Sequence, residues 1–220
     1  MLDILKLSIA LTIVAIGSGL VVAFTYYNTG EEIQAQERRN QMEALEAVFP
    51  DGVEIKTRSG NNPLPSTYWV AQTDSGLAGY AFKQKSKGYA GDIQVIVGVA
   101  PSGEILGLNI LSHKETPGLG DRVSEKPSKK YIWNVLAGTS EKTSPWFTEQ
   151  FKDLSVFEEI KIDKSTEYHT CSDEKKGKLE KTNTITAITG ATISTRAVKN
   201  CIRKNVPEYL NYLKSSGESS

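Results

Sequence analysis

The sequence predicts an α+β protein: an N-terminal membrane-spanning helix, then one domain built on an antiparallel sheet with flanking helices. Three observations lead there. Residues 7–24 carry no charged side chain. Two pairs of Val-, Ile- and aromatic-rich stretches fold back across short links that end in glycine. Near the C-terminal end, a hydroxyl-rich turn from Thr189 to Thr195 opens a segment with helical periodicity.

The run Leu7 to Phe24 is dominated by Leu, Ile, Val and Ala, and Tyr26 and Tyr27 follow it as interface residues. From Leu7 to Tyr27 an α-helix reaches roughly 30 Å, about the thickness of a bilayer's hydrocarbon core. A cleaved signal needs an Ala-x-Ala-like exit, and Thr25 to Asn28 offers none. An anchor is therefore expected over residues 1–30, with its span at 7–27. Lys6 and the terminal amine precede the span, whereas Glu31 and Glu32 follow it. Basic residues favour the cytoplasmic side, so the N-terminus is expected inside and the main domain outside, at a cell (inner) membrane crossed once.

The domain is expected over residues 31–214, with 215–220 as a disordered tail. Glu31 to Val48 reads as a helix that becomes amphipathic toward its end and stops at Pro50, Asp51 and Gly52. Gly60 to Pro65 reads as a loop. Thr67–Thr73 and Leu77–Lys83 flank Asp74 to Gly76, and Ile93–Ala100 and Ile105–Ser112 flank Pro101 to Gly103, giving at least four antiparallel strands. Between the hairpins, Gly88 and Gly91 bracket Tyr89; this is either a plain glycine turn or a close approach of backbone to a ligand.

The next loop runs from His113 through Lys114, Glu115, Thr116, Pro117, Gly118, Leu119 and Gly120 to Asp121 and Arg122, with Leu119 at its apolar tip. No nucleophile or second histidine stands near His113, and His169 is the only other, so His113 reads as a solvated loop residue and a hydrolase is disfavoured. Trp133, Val135, Leu136, Trp146, Phe147, Phe151, Leu154 and Phe157 read as core. Asp163 to Lys181 reads as a polar surface excursion. Cys171, within that excursion, and Cys201 could pair in an oxidising compartment; the alternative is that Cys201, on the apolar face of the last helix, is only a small buried residue, and neither has a metal-ligand spacing. The 26 basic and 26 acidic residues are intermixed, which excludes a nucleic-acid stripe.

The C-terminal turn carries the chemistry. Thr182 to Ile188 is extended and β-branched, and Gly190 lets the backbone turn tightly. From Thr195 onward, Ala197, Val198, Cys201, Ile202 and Val206 recur at helical spacing. The free amides and positive dipole end of such a helix start attract a phosphate. The alternative is that Thr192, Ser194 or Thr195 acts only as an N-cap.

Taken together, the single span, the loop from His113 to Asp121, and Thr189-Gly190-Ala191-Thr192 ahead of a helix resemble the G subunit of the Rnf electron-transport complex. More distantly they resemble the C subunit of the sodium-translocating NADH:quinone reductase. Arg196-Ala197-Val198 looks more like the Rnf version. The resemblance implies an extracytoplasmic FMN-binding domain with FMN joined through its phosphate to Thr192. It implies single-electron relay in a translocase that couples ferredoxin:NAD oxidoreduction to sodium or proton transport, with no independent catalytic site. Thr189, Gly190, Ala191 and Thr195 would be the setting of the attachment. Glu115, Thr116, Pro117, Gly118 and Leu119 would line the flavin or a partner face, with Gly88 and Tyr89 as a third set. The implied partners are the other membrane proteins of the complex, including the second flavin-carrying one, together with a modifying flavin transferase and membrane lipid. The chain departs from the family at Thr186, where the transferase usually finds an aspartate. The alternatives are a component of the quinone reductase or a non-redox anchored binding or assembly module.

Overall fold

No proline occurs before Pro50, and helix formers dominate, so α1 runs from Leu2 to Val48. The computed structural model describes residues 2–74, 76–125, 145–165 and 168–216, in two compact units, 1–42 and 43–220. In the first unit the apolar side chains from Ile4 to Phe24 are exposed, and α1 is long and apolar enough to cross a membrane. The hydroxyls of Ser8, Thr12, Ser18 and Thr25 donate to carbonyls one turn back, at 2.8–2.9 Å. That is what an apolar surround demands of a hydroxyl on such a helix.

The second unit is built on an antiparallel meander: β1 (Glu54–Arg58), β2 (Tyr68–Thr73), β3 (Gly76–Lys87), β4 (Asp92–Val99) and β5 (Ile105–Ser112), in spatial order β1-β2-β3-β4-β5. Both expected hairpins are present. Strand β1 was not legible in the sequence, because its residues are mostly exposed and carry no apolar alternation.

Pleating sends alternate side chains to opposite faces, and both faces are covered. On one side Trp69, Ala71, Ala81 and Ile96 pack with Ala44, Leu45, Val48 and Phe49. The paired Gly98 and Gly107 admit this contact: a Cβ at either would lie 2.8 Å from Val48 backbone. On the other side Tyr80, Phe82, Val95 and Val97 join the main core. That core includes a single helical turn at Trp146–Glu149 and the Phe147–Phe151 edge-to-face pair. Phe157 lies outside it, 41% exposed and covered on one face by Lys214.

The supposed excursion is in part structured. It contains β6 (Lys161–Asp163) and α2 (Asp173–Lys181), capped by the Ser172 side chain. The low apolar content of α2 hid it, since only Leu179 is buried. Strand β6 pairs in parallel with β7 (Thr184–Thr186). The chain ends in α3 (Thr192–Arg203) and α4 (Val206–Ser215), two helices broken at Lys204 and Asn205. Helix α4 thus reaches the first residue of the expected tail. Ser75, Trp133, Val135, Leu136 and residues 217–220 lie outside the described residues. Cys171 and Cys201 are both buried.

Candidate functional site

The extended segment through β7 delivers the chain to Thr189 and Gly190 at the edge of the core, where Gly190 takes φ +78°. The turn then closes into α3 three residues earlier than the apolar periodicity suggests, at Thr192. Ala191 is the N-cap residue, and its methyl group cannot accept a hydrogen bond. The amides of Thr192, Ile193 and Ser194 therefore open the helix without an intrahelical acceptor. No acidic residue lies in the first turn of α3.

The hydroxyls of this turn have different fates. Thr195 is fully buried: its Oγ1 accepts from the Ile188 amide and donates to the Ala191 carbonyl, both at 3.1 Å. Ser194 is also buried, and its hydroxyl donates to Oε2 of Glu115. Thr192 is half-buried and Thr189 is exposed. None of these side chains serves as the N-cap.

Glu115 is the hub of the site. It is 5% exposed and accepts from the Tyr89 amide at 3.0 Å and the Ala90 amide at 3.1 Å, besides the Ser194 hydroxyl. Burial pushes its carboxyl up, but the Ser194 hydroxyl and the amides of Ala90, Tyr89 and Gly91 together hold it below the usual carboxylate range. Two glycines make room for it. A Cβ at Gly120 would lie 2.6 Å from Ser194 Oγ and 2.7 Å from Glu115 Oε2, and one at Gly88 would strike Glu115 Oε1. Leu119, 47% exposed, reaches the C-terminal turn: its Cδ2 lies 3.2 Å from where a Gly190 Cβ would stand. The glycine loop, the Pro-Gly loop and the start of α3 thus form one site.

Residues 88–206, more than half of the chain, match the FMN-binding domain family. The chain belongs to that family. Residues 1–48 match the RnfG N-terminal region. Over 94% of its length the chain is 29% identical to the G subunit of the ion-translocating oxidoreductase complex of Vibrio cholerae, covering 90% of that protein. It is 27% identical to the G subunit of the proton-translocating ferredoxin:NAD(+) oxidoreductase complex of Clostridium ljungdahlii, over 92% of this chain and 89% of that one. The C subunit of the Na(+)-translocating NADH-quinone reductase of Parabacteroides distasonis shares the fold, with TM-score 0.52 at 16% identity over 83% of this chain and 96% of that one.

The residues present fit the phosphate of an FMN-binding domain: α3 presents free amides and a positive dipole end beside Gly190. Thr116, Pro117 and Gly118 are exposed along the loop between Glu115 and Leu119. Thr186, where the sequence departs from the family, is fully buried; its amide and hydroxyl both donate to Gln150 Oε1, at 2.7 and 3.2 Å. His113 is half-buried, with Nε2 2.9 Å from Ser124 Oγ, and is not the solvated residue expected. Ser194 escaped selection as a site residue because its partner, Glu115, is 79 residues away in sequence. A hydroxyl inside a helix start carries no local sign of such a bond.

Proposed function

We propose that this chain is the membrane-anchored flavoprotein component of an Rnf-type complex, carrying FMN joined through its phosphate to the Thr192 oxygen. The observation that carries the assignment is the unequal fate of the hydroxyls at the start of α3. Ser194 and Thr195 are buried and engaged, while Thr192 stands half-buried on the first residue of the helix. A phosphodiester at Thr192 meets the free amides and the dipole. When bound, FMN supplies one-electron chemistry between neighbouring carriers. The chain's residues fix its address: Ala191 leaves the helix start uncapped, Gly190 turns the backbone, and Leu119 walls the turn.

The relatives support the wider reading, since they are G subunits of ion-translocating and ferredoxin:NAD(+) oxidoreductase complexes. On that reading α1 holds the domain to the membrane with the N-terminus inside, and the other membrane proteins of the complex are its partners. A flavin transferase would make the attachment.

The test is the intact mass and in-gel flavin fluorescence of the full chain from a host with the transferase. The wild type and the Thr189→Ala, Ser194→Ala and Thr195→Ala variants should carry one FMN moiety, and Thr192→Ala none. An unmodified wild-type mass, with no flavin absorbance, would favour the non-redox module.

A further inference from the structure

Away from the helix start, the same helix contributes to a second feature. Lys85 and Lys87 of β3, Asp92 of β4, Glu159, Lys199 and Arg203 of α3 and Lys204 just after it line a groove of about 670 Å3. Five cationic side chains face two carboxylates in a chain whose formal net charge is zero. Lys199 lies 3.8 Å from Glu159, and Arg203 donates to the Glu158 carbonyl at 3.2 Å. Lys85, Lys87 and Lys204 are exposed and have no carboxylate within 4.0 Å among the described residues.

Favourable interaction with the negative end of the α3 dipole explains basic residues in its last turn, but not the lysines that β3 adds opposite them. We propose that this groove docks an acidic protein face, that of a neighbouring protein in the assembly proposed above. The chemistry favours an extended acidic surface over a single phosphate group. The cations are spread over two elements, most are lysines with mobile point charges, and α3 turns its C-terminal end, not its amide-bearing start, toward the groove. Complementary charge of this kind steers encounter and fixes orientation, as a transient electron-transfer contact requires. The location has a functional meaning as well. Lys199 is about two helical turns from Thr192, roughly 10 Å along the axis, so a partner seated there lies close to the attachment residue.

This inference rests on the Rnf-type reading, and the experiment separates the two. The full chain is purified from membranes with its co-purifying proteins and treated with a carbodiimide, which joins an amine directly to a contacting carboxylate. Peptide mass spectrometry then locates the linkages. Lys85, Lys87 or Lys204 should be linked to Asp or Glu of another protein of the complex, with yield falling steeply between low and high salt. The variant Arg203→Glu leaves all three of these amines in place and reverses one charge of the groove; it should lower that yield roughly tenfold while leaving the melting temperature nearly unchanged, since exposed charges contribute little to folding. Co-purification without linkage at these lysines would overturn the docking proposal alone, as would protection of the lysines only by phosphatidylglycerol vesicles. Failure to co-purify with any other membrane protein would overturn the Rnf-type reading and the docking proposal with it.

Discussion

The Ser194 hydroxyl donates to the Glu115 carboxylate across 79 residues of sequence, tying the Pro-Gly loop to the start of α3. The same carboxylate holds the glycine loop through the amides of Tyr89 and Ala90. One ionised side chain thereby positions three segments.

Removing either partner should loosen all three. Ser194→Ala leaves a buried carboxylate short of a donor, and Glu115→Ala leaves a hydroxyl and two amides without their acceptor. Each should cost about 2 kcal/mol, the Glu115 change more, as read by urea denaturation. Ser194→Ala should nevertheless keep its flavin, which separates a positioning bond from an acceptor.

The same carboxylate gives the domain an acid-sensitive limb. Its folded-state pKa lies below the ordinary value of 4.5, so the ionised form contributes stability at neutral pH. That contribution should decline as the pH falls toward about 4.5 and vanish below the folded-state value. The stability gap between wild type and Glu115→Gln, measured by thermal melts from pH 7 down to about pH 3, should therefore close on acidification.

Gly120 is a steric requirement of that hub. Gly120→Ala would place a methyl group 2.6 Å from Ser194 Oγ, against a hydroxyl and a carboxylate held in place by their mutual bond. A loss of about 1–3 kcal/mol is expected from overpacking. Gly118→Ala should cost stability for a different reason, its φ of +76°, and should leave the Glu115 contacts in place, with open space around its Cβ. Hydrogen exchange at the Tyr89 and Ala90 amides distinguishes the two, rising in Gly120→Ala alone.

Cys201 should be chemically silent. Burial pushes its thiol up to about 12, and only 1% of it is exposed, so thiolate at pH 8 is scarce and inaccessible. Iodoacetamide should leave it unmodified in the native protein and label it on denaturation, as peptide mapping will show.

Much of this was legible in the chain. The span, the two hairpins and the place of the hydroxyl-rich turn follow from charge-free length, β-branched runs and glycine-containing links. What escaped reading was fixed by tertiary contacts. Strand β1 forms because β2 offers it a partner, not because its own residues alternate. Helix α2 buries one apolar residue, too few for a pattern. At the site, Thr189 to Thr195 could be located, yet which hydroxyls are engaged depends on Glu115 and Ile188, and burial is invisible to a one-dimensional pattern.

The meander implies an order of assembly. Every strand of the five-stranded sheet pairs with its neighbour in sequence, so the sheet can grow from local hairpins at small loop-closure cost. The Ser194–Glu115 bond closes the longest loop at the site and becomes available only after α3 has docked. A newly made chain thus displays the distinction between Thr192 and its neighbouring hydroxyls only when folding is nearly complete. On the attachment proposed above, an enzyme that requires that distinction would pass over immature chains.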